Sequence, residues 1–170
     1  ILTSIAQFPA SAVSPILLVF GVGMIGGNLL GGRLADRNLV PALIGTLAAL
    51  AVVLGLMTFT LNSKPWVIVF TGLLGAAMFA TVSPLQLRVL QKAEGAGQNL
   101  ASSLNIAAFN LANAIGAWLG GVVIEHGPGL SAVTWVAALV TLIGLAISLT
   151  SVWLERKHAS LARACTMVSA

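Results

Sequence analysis

The sequence predicts an all-α polytopic membrane protein: five full transmembrane helices plus the end of a sixth. Three observations carry that prediction. Of 170 residues, 58% are hydrophobic and only 7% charged, far from the roughly 25% charged of soluble domains. Five apolar runs, residues 14–35, 39–61, 65–91, 99–124 and 131–154, stand between short polar gaps. Each is long enough for the roughly 20 residues that cross about 30 Å of hydrocarbon as a helix. Finally, seven of the eight Lys and Arg residues occupy every second gap. Arg33, Arg37, Arg88, Lys92, Arg156, Lys157 and Arg163 flank or follow the first, third and fifth runs, whereas the gap after the second holds only Lys64 and that after the fourth none. This alternation is the positive-inside pattern, which places the basic gaps and the C-terminal tail in the cytoplasm.

The same features exclude other classes. A net charge of +4 spread along one membrane face fits anchoring against anionic lipid rather than nucleic-acid binding. The single Cys165 allows no internal disulfide. His126 falls in an outer gap and His158 in the tail, and no Ser–His–acid, Cys–His or paired-carboxylate set shares one plausible site. No enzymatic activity, metal or cofactor is therefore expected. Residues 1–8 are apolar, too short to span and stopped by Pro9. They read as the last two turns of a helix that begins upstream, with no signal-peptide pattern, so the chain reads as a fragment. Residues 1–154 form its transmembrane part and 155–170 a cytoplasmic tail.

The connections at 36–38, 62–64, 92–98 and 125–130 are short, which predicts antiparallel neighbours. Pro41 and Pro65 stand near helix starts, where a missing N–H costs little. Gly127, Pro128 and Gly129 break the chain before the last run. Trp66, Trp135 and Trp153 fall at headgroup depth. The second and fifth runs are almost uniformly aliphatic and are expected to face lipid. The first carries Gly23, Gly27 and Gly31 at i, i+4, i+8, with Asn28 beside them. The fourth carries Ala112, Gly116 and Gly120, followed by Gly121, with Asn105, Asn110 and Asn113 in its middle. Small residues at this spacing let helix backbones approach, and Asn in hydrocarbon needs a partner helix or a wet cavity. These two runs are expected to be inner helices.

Several motifs carry two readings. Gly21, Gly23 and Gly26 after an apolar run match a dinucleotide-binding G-x-G-x-x-G. That reading requires a soluble βαβ unit and an acidic residue about 20 positions on, and residues 40–42 offer none. Residues 31–38 read GGRLADRN: Asp36 either caps the next helix, pairs with an Arg in one conformational state, or sits in a solvated turn. Pro84 predicts a kink opposite the Ala80 carbonyl, either structural or gating. Asn105 and Asn113, at i, i+8, are assigned one face of their helix and Asn110 another; one face bonds neighbouring helices and the other meets a cavity.

Gly32, Leu34, Ala35, Asp36 and Arg37 resemble the loop motif G-x-L-A-D-R-x-G-R-K/R of the major facilitator superfamily. The later Gly-Arg-Lys part does not match, because Leu39, Val40 and Pro41 stand there, which resembles the weaker copy between the family's eighth and ninth helices. Residues 116–121, GAWLGG, resemble the pseudo-repeat counterpart of the antiporter motif G-P-x-x-G-G, with Ala117 in place of proline. Close helix packing explains the same letters. The longer stretches GVGMIGGNLLGGRLADR and LASSLNIAAFNLANAIGAWLGG resemble the eighth and eleventh helices of drug:proton antiporters of the arabinose-efflux and chloramphenicol-resistance group.

This resemblance implies twelve helices in two halves around a central cavity, this chain supplying the C-terminal half. The implied function is efflux of a small organic solute, drug or sugar-like, by alternating access coupled to protons across the bacterial inner membrane. Asn28, Gln86, Asn105, Asn110 and Asn113 are the candidate cavity residues. Gly32, Arg33, Asp36 and Arg37 form the candidate inner gate. The implied partners are membrane lipid, the N-terminal helical half, the solute and protons. No ionisable residue lies deep in the runs, so a proton-coupling acid is expected outside this chain. A membrane-embedded assembly subunit without its own transport site is the alternative, and a soluble NAD-dependent enzyme the remote one.

Overall fold

The computed structural model describes residues 8–60, 63–93, 97–127, 129 and 132–168. Residues 1–7, expected as the end of a helix, lie outside the described residues. Among the described residues the secondary structure is helical: α1 (Ala10–Arg37), α2 (Leu39–Thr60), α3 (Lys64–Lys92), α4 (Gln98–His126) and α5 (Ala132–Val168). All five are long and apolar enough to cross a membrane. α1, α3, α4 and α5 extend beyond their apolar runs at one or both ends, whereas α2 matches its run to within a residue. The last differs most, because α5 continues as helix to Val168 instead of breaking after Leu154.

Helix ends follow local chemistry. Asn38 is the only residue between α1 and α2; its N–H donates to the Leu34 carbonyl at 3.0 Å and its carbonyl accepts from the Ala42 N–H at 3.0 Å. Pro65 is the second residue of α3, where no intrahelical donor is lost. Gly129, with φ of +90°, takes a left-handed turn open to glycine before α5 begins. Trp66 and Trp135 are exposed near the starts of α3 and α5. Trp153 lies near the basic end, with the Lys157 Nζ 5.3 Å from its ring centroid.

α3 is the hub. It packs along α1, and α2 leans on both α3 and α5. The core of that layer includes wholly buried Leu43 and Val67 and the Met57–Phe70 pair, against which Val53 and Leu74 pack. Buried hydroxyls are satisfied on their own helices: Thr46 donates to the Ala42 carbonyl at 2.9 Å, Thr71 to Val67 at 2.7 Å and Thr81 to Ala77 at 2.8 Å. Between α2 and α5 the Thr58 and Thr134 hydroxyls meet at 3.2 Å.

One expectation changes here. α2 is not simply a lipid-facing helix, since Ala42, Leu43, Thr46, Leu47, Ala51, Leu54 and Met57 are buried along one face while Val52, Leu56 and Phe59 are exposed on another. In a membrane both faces are aliphatic, because lipid tails are as apolar as Leu, so hydropathy does not separate them. α4, expected to be an inner helix, buries none of its described residues within this chain.

Candidate functional site

The tightest contact is built from glycines and alanines. A Cβ added at Gly23 would strike the Gly72 carbonyl, one at Gly27 the Ala76 backbone, and one at Gly31 the Ala80 carbonyl. Gly72, Ala76 and Ala80 repeat on α3 with the same four-residue period. The sequence reading missed this complement, although its spacing is as legible as that of Gly23, Gly27 and Gly31. Gly75 adds a second contact, against the Phe20 carbonyl. Pro84, wholly buried inside α3, cannot donate to the Ala80 carbonyl. That freed carbonyl lies where a Gly31 side chain would stand.

Beside this seam lies a polar pair. The Ser83 hydroxyl of α3 donates to Asn28 Oδ1 of α1 at 2.9 Å. Gln86 is exposed three residues further along α3, on the adjoining side of the helix. Ser83 is thus the direct partner of Asn28.

The asparagines of α4 are distributed differently from expectation. Asn105 is half-buried in a cleft of about 630 Å³ between α3, α4 and α5, which Arg88, Ser151 and Glu155 also line. Asn110 and Asn113 are both exposed. Asn105 thus differs in exposure from Asn113, with which it was expected to share a face. Eight residues overshoot two helical turns by about 80° and three fall about 60° short of one, so Asn113 lies between Asn105 and Asn110 around the helix. The close packing expected at Ala112, Gly116, Gly120 and Gly121 is also not made within this chain. Ala112 is exposed, and a Cβ at any of the three glycines meets nothing within 4 Å.

Residues 31–37 of the GGRLADRN stretch form about the last two turns of α1 rather than a loop, and Asn38 caps them. Gly32 is half-buried, while Arg33, Asp36 and Arg37 are exposed. Asp36 does not cap α2; the residue before α2 is Asn38, and Asp36 remains within α1.

The charged centre of the described chain lies elsewhere. Arg88 Nη2 reaches Glu155 Oε1 at 3.1 Å and donates to the Ser151 hydroxyl at 3.3 Å. Lys92 Nζ lies 3.2 Å from the same carboxylate oxygen. The Arg88 side chain is only 14% exposed, and its Nη1 is buried without a hydrogen-bond partner among the described residues. This cluster pins α5 to α3 at the basic end. Its residues were visible at run ends in the sequence, but their lateral adjacency was not. A double-mutant cycle of Arg88→Gln and Glu155→Gln in the intact protein is expected to give about 1 kcal/mol of coupling in thermal unfolding, below a fully buried pair because Glu155 is 40% exposed. Additive single effects would contradict it.

Five membrane-length helices with polar and ionic contacts between them fit a polytopic membrane protein. The signature of the Major Facilitator Superfamily matches residues 1–164, and the chain belongs to that family of transporters, which are not enzymes. It is 43% identical to the "Inner membrane transport protein YdhP" of Escherichia coli over 149 residues, covering 88% of this chain and 38% of that protein. It is 34% identical to the "Uncharacterized MFS-type transporter YfhI" of Bacillus subtilis over 151 residues, 87% of this chain and 37% of that protein. A "Probable sugar efflux transporter" of Helicobacter pylori shares 31% over 142 residues, 83% of this chain and 36% of its own length. No solved structure matches the chain significantly. The chain thus spans less than two-fifths of the length of the curated relatives it matches. The dinucleotide reading of Gly21, Gly23 and Gly26 falls, since all three lie inside membrane-length α1.

Proposed function

We propose that this chain is the C-terminal half of an inner-membrane efflux antiporter of the arabinose-efflux and chloramphenicol-resistance type. It expels a small organic solute, drug or sugar-like, by alternating access coupled to proton entry. The observation that carries the reading is the polar seam: Asn28 bonded to Ser83, with Gln86 exposed beside it. Hydrogen-bonding groups at helix seams are what a midplane solute site requires. The printed names of relatives, an inner membrane transport protein and a sugar efflux transporter, support the same direction.

In this reading Asn28 and Gln86 face the solute path, joined by Asn110 and Asn113 from α4, while Asn105 lies toward the basic, cytoplasmic end. Arg33, Asp36 and Arg37 form a latch at that end, and the C-terminus is cytoplasmic. α4, with no buried residue in this chain, seats against the other half of the protein. Asp36 lies at the end of α1 and Glu125 at the end of α4, and Glu155 sits at the basic end beside Arg88 and Lys92, so the coupling acid is assigned to the part of the transporter outside this chain.

The test is efflux of a panel of sugars and antibiotics by the intact transporter in proteoliposomes under an imposed pH gradient. Gradient-dependent movement of at least one solute is expected, with none catalysed by this chain alone. Solute movement that ignores the gradient would remove the antiport claim, and gradient-driven transport by this chain alone would overturn the assignment of coupling to the other half.

A further inference from the structure

We propose that the groove between α1 and α2 holds an acyl chain of an anionic phospholipid, with the lipid phosphate resting on Arg37. The two helices are joined through Asn38 alone, yet make few contacts with each other. They leave a groove of about 560 Å³ backed by α3. Its walls include Leu30 and Leu34 of α1, Gly45 and Ala49 of α2, and Ala77 of α3, and Arg37 is the one charged residue lining it. A Cβ at Gly45 meets nothing within 4 Å, so small residues hold the groove open. An apolar slot closed at one end by a cation has the shape and charge of an amphiphile with an anionic head and a long apolar tail.

The groove is distinct from the polar seam. From Gly27, helical geometry turns Asn28 about 100° one way and Leu30 about 60° the other, so Asn28 and the groove occupy opposite flanks of the α1–α3 contact. Arg33, four residues before Arg37, is also exposed and stands only about 40° from it around the helix. Two cations against Asp36 leave this helix end net positive, which favours an anionic headgroup over a zwitterionic one. The assignment of this end to the cytoplasmic leaflet rests on the proposed orientation; lipid capture does not.

The experiment uses the intact transporter in nanodiscs of phosphatidylcholine and phosphatidylglycerol, with retained lipid counted by native mass spectrometry after detergent extraction. Phosphatidylglycerol is expected to be retained in preference to phosphatidylcholine, and Gly45→Leu to abolish that retention. Gly55→Leu, on the same helix, outside the groove and equally unobstructed, is expected to keep it. Arg37→Gln, at an exposed residue, is expected to lower the preference for phosphatidylglycerol about fivefold while a neutral lipid still occupies the groove. Equal retention of the two lipids by the wild type, or full retention by Gly45→Leu, would overturn the proposal. So would a photocrosslinker at position 45 that captures polypeptide, from residues 1–7 or the rest of the protein, instead of lipid. Solute transport is not the readout, so failure here leaves the efflux reading standing.

Discussion

Gly27→Ala is expected to destabilise the intact protein by about 1–3 kcal/mol, the range for overpacking a well-fitted contact. The added methyl would collide with the Ala76 backbone, and backbone has no rotamer through which to yield. Gly23→Ala and Gly31→Ala should behave alike, because their obstacles are the backbone of Gly72 and Ala80. Gly26→Ala supplies the control one residue away. Its Cβ meets nothing within 4 Å, so the higher helix propensity of Ala should leave stability unchanged or raise it by up to about 1 kcal/mol. Thermal unfolding in detergent measures both. Equal effects at positions 26 and 27 would show that the seam does not hold α1 to α3.

Asp36→Asn is expected to leave insertion and thermal stability unchanged and to remove solute efflux. Asp36 is exposed on the last turn of α1, so its neutral isostere costs the resting fold little. If the carboxylate instead engages an arginine in another conformational state, Asn removes that state's stabilisation and stalls the cycle. The readout is efflux in proteoliposomes at matched protein incorporation. Wild-type rates would show that GGRLADRN is only a solvated helix end. A loss of efflux accompanied by a fall in unfolding temperature would point to a structural role in place of a latch.

The five spans were legible in the sequence because length and charge placement determine them, and both are one-dimensional. The glycine face of α1 was legible for the same reason, through its four-residue period. Gly72, Ala76 and Ala80 carry the same period, but that they pack against that face was not legible, since no one-dimensional pattern says which helices are neighbours. The burial of α2 was hidden because its buried and exposed faces are both aliphatic. The Arg88–Glu155 contact joins residues 67 positions apart, and no local pattern announces such a pair. The asparagines of α4 were legible as polar residues in an apolar run, but their difference in exposure was not, because it depends on which neighbouring helices lie beside each of them.

The glycine seam has a mechanical consequence. Ordinary helix contacts interpose side chains that hop between rotamers, giving the interface slack. Between Gly23 and Gly72, and between Gly27 and Ala76, backbone rests on backbone with no such slack. Sliding or rolling α1 against α3 would drive carbonyls into Cα atoms, so this contact resists relative motion of the two helices. By contrast, the contacts of α4 with α3 and α5 are few among the described residues.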